Sequence, residues 1–332
     1  MNSSVKDASS RAHDHRTTTS AAILGLLRRN TIIVLILLLV AFIGGIEISR
    51  PGTVNATWIS NAVLFAAPLG ILAAGQTLVM LTGGIDLSVA AIATGSAYVM
   101  ATNASLGGFV AVALGLLIGV VVGFINGLGI AVLGVQPLVM TLGTGLMTGG
   151  ILTVYSQQML ASQPRVPEFV QALGAGKFFG FVPFDLFLWA PIAFLMIFGL
   201  ARSGFGRLLY AVGDNREACK LAGVRVWQVL LADYVLCGLF AAIAGIVLVG
   251  GTNAADLSLA DVYLLPSVAA VIIGGTSIFG GRGGYSGSIV GALILTVLTS
   301  LLTLLDASEP IKQILYGAII LLLAAVYARL TD

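Results

Sequence analysis

The stretch from Gly206 to Arg225, G-R-L-L-Y-A-V-G-D-N-R-E-A-C-K-L-A-G-V-R, gathers charged side chains in a chain that has few of them. Within it, Asp214-Asn215-Arg216-Glu217 has the D-x-x-E form of a capping box. Asp214 accepts the first backbone N–H groups of a helix, and Glu217 reaches back to the cap. Gly223 supplies the C-terminal stop. The implied helix is barely two turns long, too short to persist alone, and its spacing places Ala218, Leu221 and Ala222 on one side. The chemistry this suits is recognition, since a small apolar face on a charged loop is an incomplete surface that fits a groove on a partner. A loop needed only for its positive charge would require neither cap nor face.

A second set of residues is neutral and polar, and lies inside apolar runs: Gln76, Thr77, Asn126, Gln136, Thr141, Thr144, Thr276 and Ser277. Such groups suit a pathway for a hydroxylated solute, which must exchange water for side chains without being held too tightly to leave. They also knit membrane helices together, at about 1 kcal/mol each. Asn126, in G-F-I-N-G-L-G, is the strongest single candidate, because an amide there is costly unless it meets a partner, water or substrate. Asp86 and Ser88, in T-G-G-I-D-L-S-V-A, join the pathway candidates, although Asp and Ser ahead of an apolar helix read first as a cap.

Catalytic chemistry has no comparable residues. The nucleotide-binding pattern G-x-x-x-x-G-K-[ST] does not occur, and the Gly-rich run Gly274 to Gly284 lacks the lysine that would reach phosphates. His13 and His15 are too few for a metal site. Cys219 and Cys237 read as packing residues rather than a disulfide framework. No catalytic residue, cofactor or metal is expected.

These residues must be positioned by membrane helices. Soluble domains carry roughly 25% charged residues, whereas this chain of 332 residues is 58% hydrophobic and 9% charged, with a mean hydropathy of +1.05. Apolar runs of the length that crosses a bilayer recur along nearly all of it. They are continuous and rich in Gly, unlike the short alternating strands of a barrel. The expectation is an all-α polytopic membrane protein with about ten spans: near 31 to 46, 58 to 81, 87 to 102, 108 to 134, 137 to 157, 184 to 201, 227 to 250, 260 to 279, 285 to 305 and 310 to 329. Residues 1 to 29 form a disordered cytoplasmic tail, 30 to 332 a single transmembrane domain, and 203 to 226 its cytoplasmic loop.

Basic residues collect on the cytoplasmic side. With both termini inside, only Arg50, Arg165, Lys177 and Lys312 of the 16 basic residues fall outside. Internal repetition is a second organising signal. Asp86-Leu87-Ser88-Val89-Ala90 returns as Asp256-Leu257-Ser258-Leu259-Ala260, and Gln136-Pro137-Leu138 as Glu309-Pro310-Ile311, at offsets of 170 and 173 residues. Spans two to five then repeat as seven to ten, inverted in the membrane. Gly115, Gly119, Gly123 and Gly127 form a small-residue stripe for close packing.

The charged stretch, together with V-A-A-V-I-I-G-G-T-S-I-F-G-G-R-G-G (Val268 to Gly284), T-G-G-I-D-L-S-V-A (Thr82 to Ala90) and P-L-V-M-T-L-G-T (Pro137 to Thr144), resembles the permeases of ribose/xylose/arabinose-type ATP-binding cassette (ABC) importers over roughly residues 58 to 328. The chain departs from that pattern in having Gln136-Pro137 where two prolines are common, and Asp261 alone where an acidic pair is common. The resemblance implies a permease of a bacterial inner membrane that acts by alternating access on a monosaccharide or related polyol. It also implies a second permease copy or paralogue, two ABC ATP-binding subunits and a periplasmic solute-binding protein, with 158 to 183 in contact with the last. The coupling helix for the ATPases then comprises Gly213, Asp214, Asn215, Glu217, Ala218, Leu221, Ala222 and Gly223. The alternatives are an ion-coupled carrier or channel acting alone, disfavoured by the scarcity of ionisable groups in the spans, and an ABC importer of a nucleoside or furanosyl signal.

Overall fold

The computed structural model describes residues 31–159 and 164–331; the tail with His13 and His15 lies outside them. The helices are α1 (Thr31–Ser49), α2 (Ala56–Leu81), α3 (Val89–Thr102), α4 (Gly108–Ala131), α5 (Pro137–Gln158), α6 (Glu168–Ala175), α7 (Asp185–Arg202), α8 (Gly204–Asp214), α9 (Arg216–Leu221), α10 (Val226–Thr252), α11 (Leu264–Ile273), α12 (Tyr285–Leu304) and α13 (Glu309–Thr331). Short 3-10 turns precede α4 and α11. The only strands among the described residues, β1 (Lys177–Phe178) and β2 (Val182–Pro183), form a two-rung antiparallel ladder between α6 and α7. The expected all-α membrane architecture is what the chain adopts.

Seven helices, α1, α2, α4, α5, α7, α10 and α12, are long and apolar enough to cross a membrane, and α3 and the run Asp261–Ile273 are shorter apolar pieces. With α13, each of the ten windows read from the sequence holds one of these elements, but the window 260 to 279 is helical only to Ile273, because the Gly-rich loop begins at Gly274, and it and α3 are shorter than a full span.

Burial separates them. α2 is buried along nearly its whole length after Phe65, as a helix apolar all round must be when it lies at the centre of a bundle. Its partner in the centre is α10. By contrast, α1, α5 and α7 carry many exposed large apolar side chains, such as Leu37, Ile151 and Phe194, as surfaces meeting lipid do.

The packing follows an exchange rule. α10 lies against α3 and α4, and α2 lies against the elements at the corresponding places in the second half, α11 and α12. Within each half, α3 packs on α4 and α5, and α11 packs on α12 and α13. Each half thus lends its first helix to the other, as a duplicated and intertwined unit would. The repeated tripeptide extends the parallel to single atoms. Asp86 Oδ1 accepts from the amide and hydroxyl of Ser88 at 2.8 and 2.5 Å, and Asp256 Oδ1 accepts from the amide and hydroxyl of Ser258 at 2.7 and 2.5 Å.

The glycine stripe sets how close the two halves come. A Cβ on Gly119 would collide with the carbonyl of Gly238 in α10, and a Cβ on Gly238 would collide with that of Gly119. Gly123 and Gly127 meet the α10 backbone at Tyr234 and Leu231, while Gly115 faces Ser96 of α3. Backbone contact this tight replaces the hydrophobic drive that lipid does not supply.

Candidate functional site

Two constellations stand out, an interior polar network and the short helix beside it. The network begins on α2, where Gln76 Nε2 donates to the carbonyl of Asp86 at 2.5 Å and Gln76 Oε1 accepts the Asp86 amide at 3.3 Å. The side-chain amide takes the place of a neighbouring backbone and satisfies the non-helical turn between α2 and α3. From Ser88 the chain of bonds runs on: Asn126 Nδ2 donates to Ser88 Oγ at 2.9 Å, and Thr144 Oγ1 donates to Asn126 Oδ1 at 2.6 Å. Thr141 Oγ1 accepts the Leu87 amide at 3.0 Å. Four elements, α2 to α5, are pinned together at one point.

Gln76, Asp86, Ser88, Asn126 and Thr141 are each fully buried. Five of the seven pathway candidates therefore meet, and they meet one another rather than solvent. Thr276 lies apart: it is buried in the Gly-rich loop, where its hydroxyl accepts the Gly284 amide at 3.3 Å. Gln136 is exposed ahead of Pro137, and its side chain makes no capping bond. Asp86 opens α3 through its turn with Ser88, while Ser88 itself takes the N-cap position without a side-chain cap bond.

A second buried carboxylate, Asp233 of α10, accepts from Thr82 Oγ1 at 2.7 Å. Among the described residues, Asp233 Oδ1 and the Tyr234 hydroxyl have no hydrogen-bond partner.

The short helix corrects the sequence reading at its cap. Asp214 is the last residue of α8, and Asn215 is the N-cap of α9, its side chain accepting the Ala218 amide at 2.9 Å. Glu217 does not reach back; it pairs with Lys220 at 2.7 Å on the surface. The reason is tertiary. Leu209 and Val212 of α8 are buried, and Gly213 is pressed against the Leu81 carbonyl and the Gly281 amide, where a side chain would not fit, so α8 stays helical through Asp214. Gly223 does end the helix, with φ +81°, a left-handed conformation that a glycine adopts without strain.

Orientation gives α9 its character. Cys219 points inward and is buried, while Ala218, Leu221 and Ala222 are exposed, Leu221 at 91%. Arg216 turns inward and donates from Nη2 to the Thr82 carbonyl at 2.6 Å. The helix is held from beneath, with its apolar side presented outward.

Sequence reasoning missed a third feature. Thr296, Thr299, Ser300 and Thr303 line a cavity of about 480 Å³ between α2, α11, α12 and α13. Their i, i+3, i+4, i+7 spacing in an otherwise apolar helix was the available signal.

Comparison with known proteins places these features in a family. The model of a family described as branched-chain amino acid transport system / permease component matches residues 58–324. The fructose import permease protein FrcC of Rhizobium meliloti is 34% identical over 270 residues, covering 78% of this chain and 74% of that one. The ribose import permease protein RbsC of Escherichia coli K12 is 32% identical over 295 residues, covering 87% and 91%. Its namesake in Bacillus subtilis is 35% identical over 280 residues, covering 83% and 86%. No solved structure matches.

Proposed function

The chain belongs to the family of branched-chain amino acid transport system permease components, and from that premise we propose that it is the membrane-spanning subunit of an ATP-driven importer for a monosaccharide or related polyol in a bacterial inner membrane. The observation that carries this is α9. A six-residue helix fastened to α2 by Arg216, with Leu221 standing free in water, is built to be pushed by something outside the bundle. Since the sequence holds no phosphate-binding loop, that partner supplies the ATP hydrolysis.

In this reading two ATP-binding subunits dock on the α9 helices of two permease copies. Both termini are cytoplasmic, and a periplasmic binding protein delivers the solute near 158 to 183, of which 160–163 lie outside the described residues. Movement of α9 passes through Arg216 to Thr82, thence to Asp233 in α10 and to the turn at Asp86, where α2 to α5 are joined. Two arrangements of that junction would be the inward-open and outward-open states. The polar candidates Gln76, Asp86, Ser88, Asn126 and Thr141 serve here as the hinge of the pathway rather than its bare lining. Sugar as the cargo is supported by the names of the relatives, whose ligands are ribose and fructose, and by the neutral polar groups within the spans.

Reconstitution tests it. Vesicles carrying the permease with its ATPase subunits and binding protein take up sugar only with internal ATP. Uptake by the permease alone, on a proton or sodium gradient, would overturn the reading in favour of an ion-coupled carrier.

A further inference from the structure

We propose that the cavity beside α12 is a low-affinity vestibule for a monosaccharide or polyol, at the end of the bundle opposite α9. It deepens the importer reading and rests on it for the side of the membrane that the cavity faces. The position follows from chain ends. Tyr210 of α8 donates its hydroxyl to the Gly283 carbonyl at 2.9 Å, just before α12 begins, and Arg216 reaches the C-terminal end of α2. The cavity lies at the other ends of the same two helices, beside Trp58 of α2 and Thr303 of α12.

The lining has two chemical faces. Thr296, Thr299, Ser300 and Thr303 stand on one stripe of α12. Three of these hydroxyls donate back into their own helix: Thr296 to the Ala292 carbonyl at 2.9 Å, Thr299 to Leu295 at 2.7 Å and Thr303 to Thr299 at 2.8 Å. Thr296 and Thr303 thus keep their lone pairs open, Thr299 has one taken by the Tyr316 hydroxyl at 2.5 Å and one left, and Ser300, which accepts from Trp58, keeps its hydrogen to give, so the stripe presents mainly acceptors with one donor among them. The Glu309 carboxylate, also in the lining, adds further acceptors. Across from them, Trp58, Phe65, Tyr263 and Pro266 form an aromatic and apolar wall. Trp58 is held in place by its own Nε1–H, which donates to Ser300 Oγ at 3.1 Å.

A ligand matching both faces carries several O–H donors on one side and a flat C–H surface on the other, which is the chemistry of a sugar ring. An acyl chain would use the apolar wall but leave the acceptor stripe unanswered. About 480 Å³ lies within the range of roughly 300–1,000 Å³ usual for small-molecule sites. The charged group in the lining, Glu309, is already paired with Lys312 at 3.3 Å, so binding should be weak, on the order of millimolar, as a site that must release its cargo requires.

The test uses the permease assembled with its ATPase subunits in lipid nanodiscs, without binding protein or nucleotide, and measures equilibrium binding of radiolabelled ribose and fructose. Saturable binding of at least one, weakened about tenfold by T299V/S300A and accompanied by a change in tryptophan emission that W58F removes, is the expected result. Should the double substitution prevent assembly, T303V alone must weaken binding. Absence of saturable binding of either sugar, or binding indifferent to these substitutions, overturns the proposal, as does displacement of the tryptophan signal by a lysophospholipid but not by sugar. ATP-driven uptake by the same complex separates the two readings. Normal uptake with an unchanged KM in T299V/S300A refutes the vestibule alone, whereas sugar binding without any ATP-driven uptake refutes the importer and leaves the vestibule.

Discussion

Arg216 and Thr82 are joined by a 2.6 Å hydrogen bond from the guanidinium of one to the backbone carbonyl of the other, so an exposed surface helix is fastened to the end of the most buried span. The Thr82 hydroxyl in turn donates to Asp233. A charged donor here joins α9, α2 and α10 within three residues, a short mechanical path from the surface to the bundle interior.

Replacing Arg216 with Ala breaks that path without touching the exposed face of α9. A hydrogen bond involving a charged group contributes about 1.5–3 kcal/mol, enough to change a coupling equilibrium about tenfold or more. The expected outcome is a complex that assembles and hydrolyses ATP but imports at least about tenfold less solute per ATP. Unchanged transport stoichiometry would show that the contact is incidental.

The cap of α9 is testable separately. Asn215→Ala removes the bond to the Ala218 amide and costs about 1 kcal/mol locally, which hydrogen exchange should register as faster exchange across 216 to 221. Asp214→Ala leaves that cap in place and should not. Equal effects of the two would restore Asp214 to the capping role.

This is also where the sequence was least legible. Asp and Asn cap helices about equally well, so D-N-R-E alone cannot say which residue is the cap. The deciding contact, Gly213 against Leu81 and Gly281, joins segments far apart in the chain. The spans, the glycine stripe and the small apolar face of α9 were readable because each rests on local period and composition. The pathway candidates other than Gln136, which is exposed, were recognisable as buried polar groups. What could not be read was that Asn126 spends both ends of its amide on Ser88 and Thr144, since that depends on three helices meeting.

Asn126→Ala leaves both Ser88 and Thr144 without that partner. Hydrogen bonds between membrane helices are worth about 0.6–2 kcal/mol, so the substitution should lower thermal stability in detergent, and Thr144→Val added to it should cost little more. Fully additive losses in that double-mutant cycle would mean that the two side chains are not coupled.

Close backbone approach predicts a size limit at Gly119 and Gly238. Gly119→Val forces α4 away from α10 and should destabilise by about 1–3 kcal/mol as other overpacked sites do, whereas Gly143→Ala, with open space around it, should be neutral. A well-folded Gly119→Val protein with unchanged melting would contradict the packing.

At the echo of the Asp86 turn, the amide and hydroxyl of Ser258 hold the Asp256 carboxyl below its ordinary range. A depressed folded-state value stabilises the turn above the unfolded pKa of about 3.9, and that contribution is lost as pH falls through the folded value. The turn should therefore be insensitive to pH near neutrality and loosen only in strong acid. Ser258→Ala should move that loosening to higher pH, read by exchange of the residue 258 amide; no movement would mean that the hydroxyl contributes nothing.

Leu221 carries the most direct consequence. A leucine 91% exposed at the edge of a six-residue helix contributes little to the fold of this chain, so Leu221→Asp should leave insertion and thermal stability unchanged. It should instead weaken ATPase-subunit binding, because a carboxylate entering an apolar groove loses its hydration without gaining a partner. Glu217→Arg, on the charged side of the same helix, reverses the charge of a surface pair worth about 0–1 kcal/mol to the fold. Its effect must therefore appear as uptake lost per ATP hydrolysed. Co-purification of ATPase subunits with each variant at equal expression makes the comparison, and full recovery with Leu221→Asp would mean that α9 is not where the partner sits.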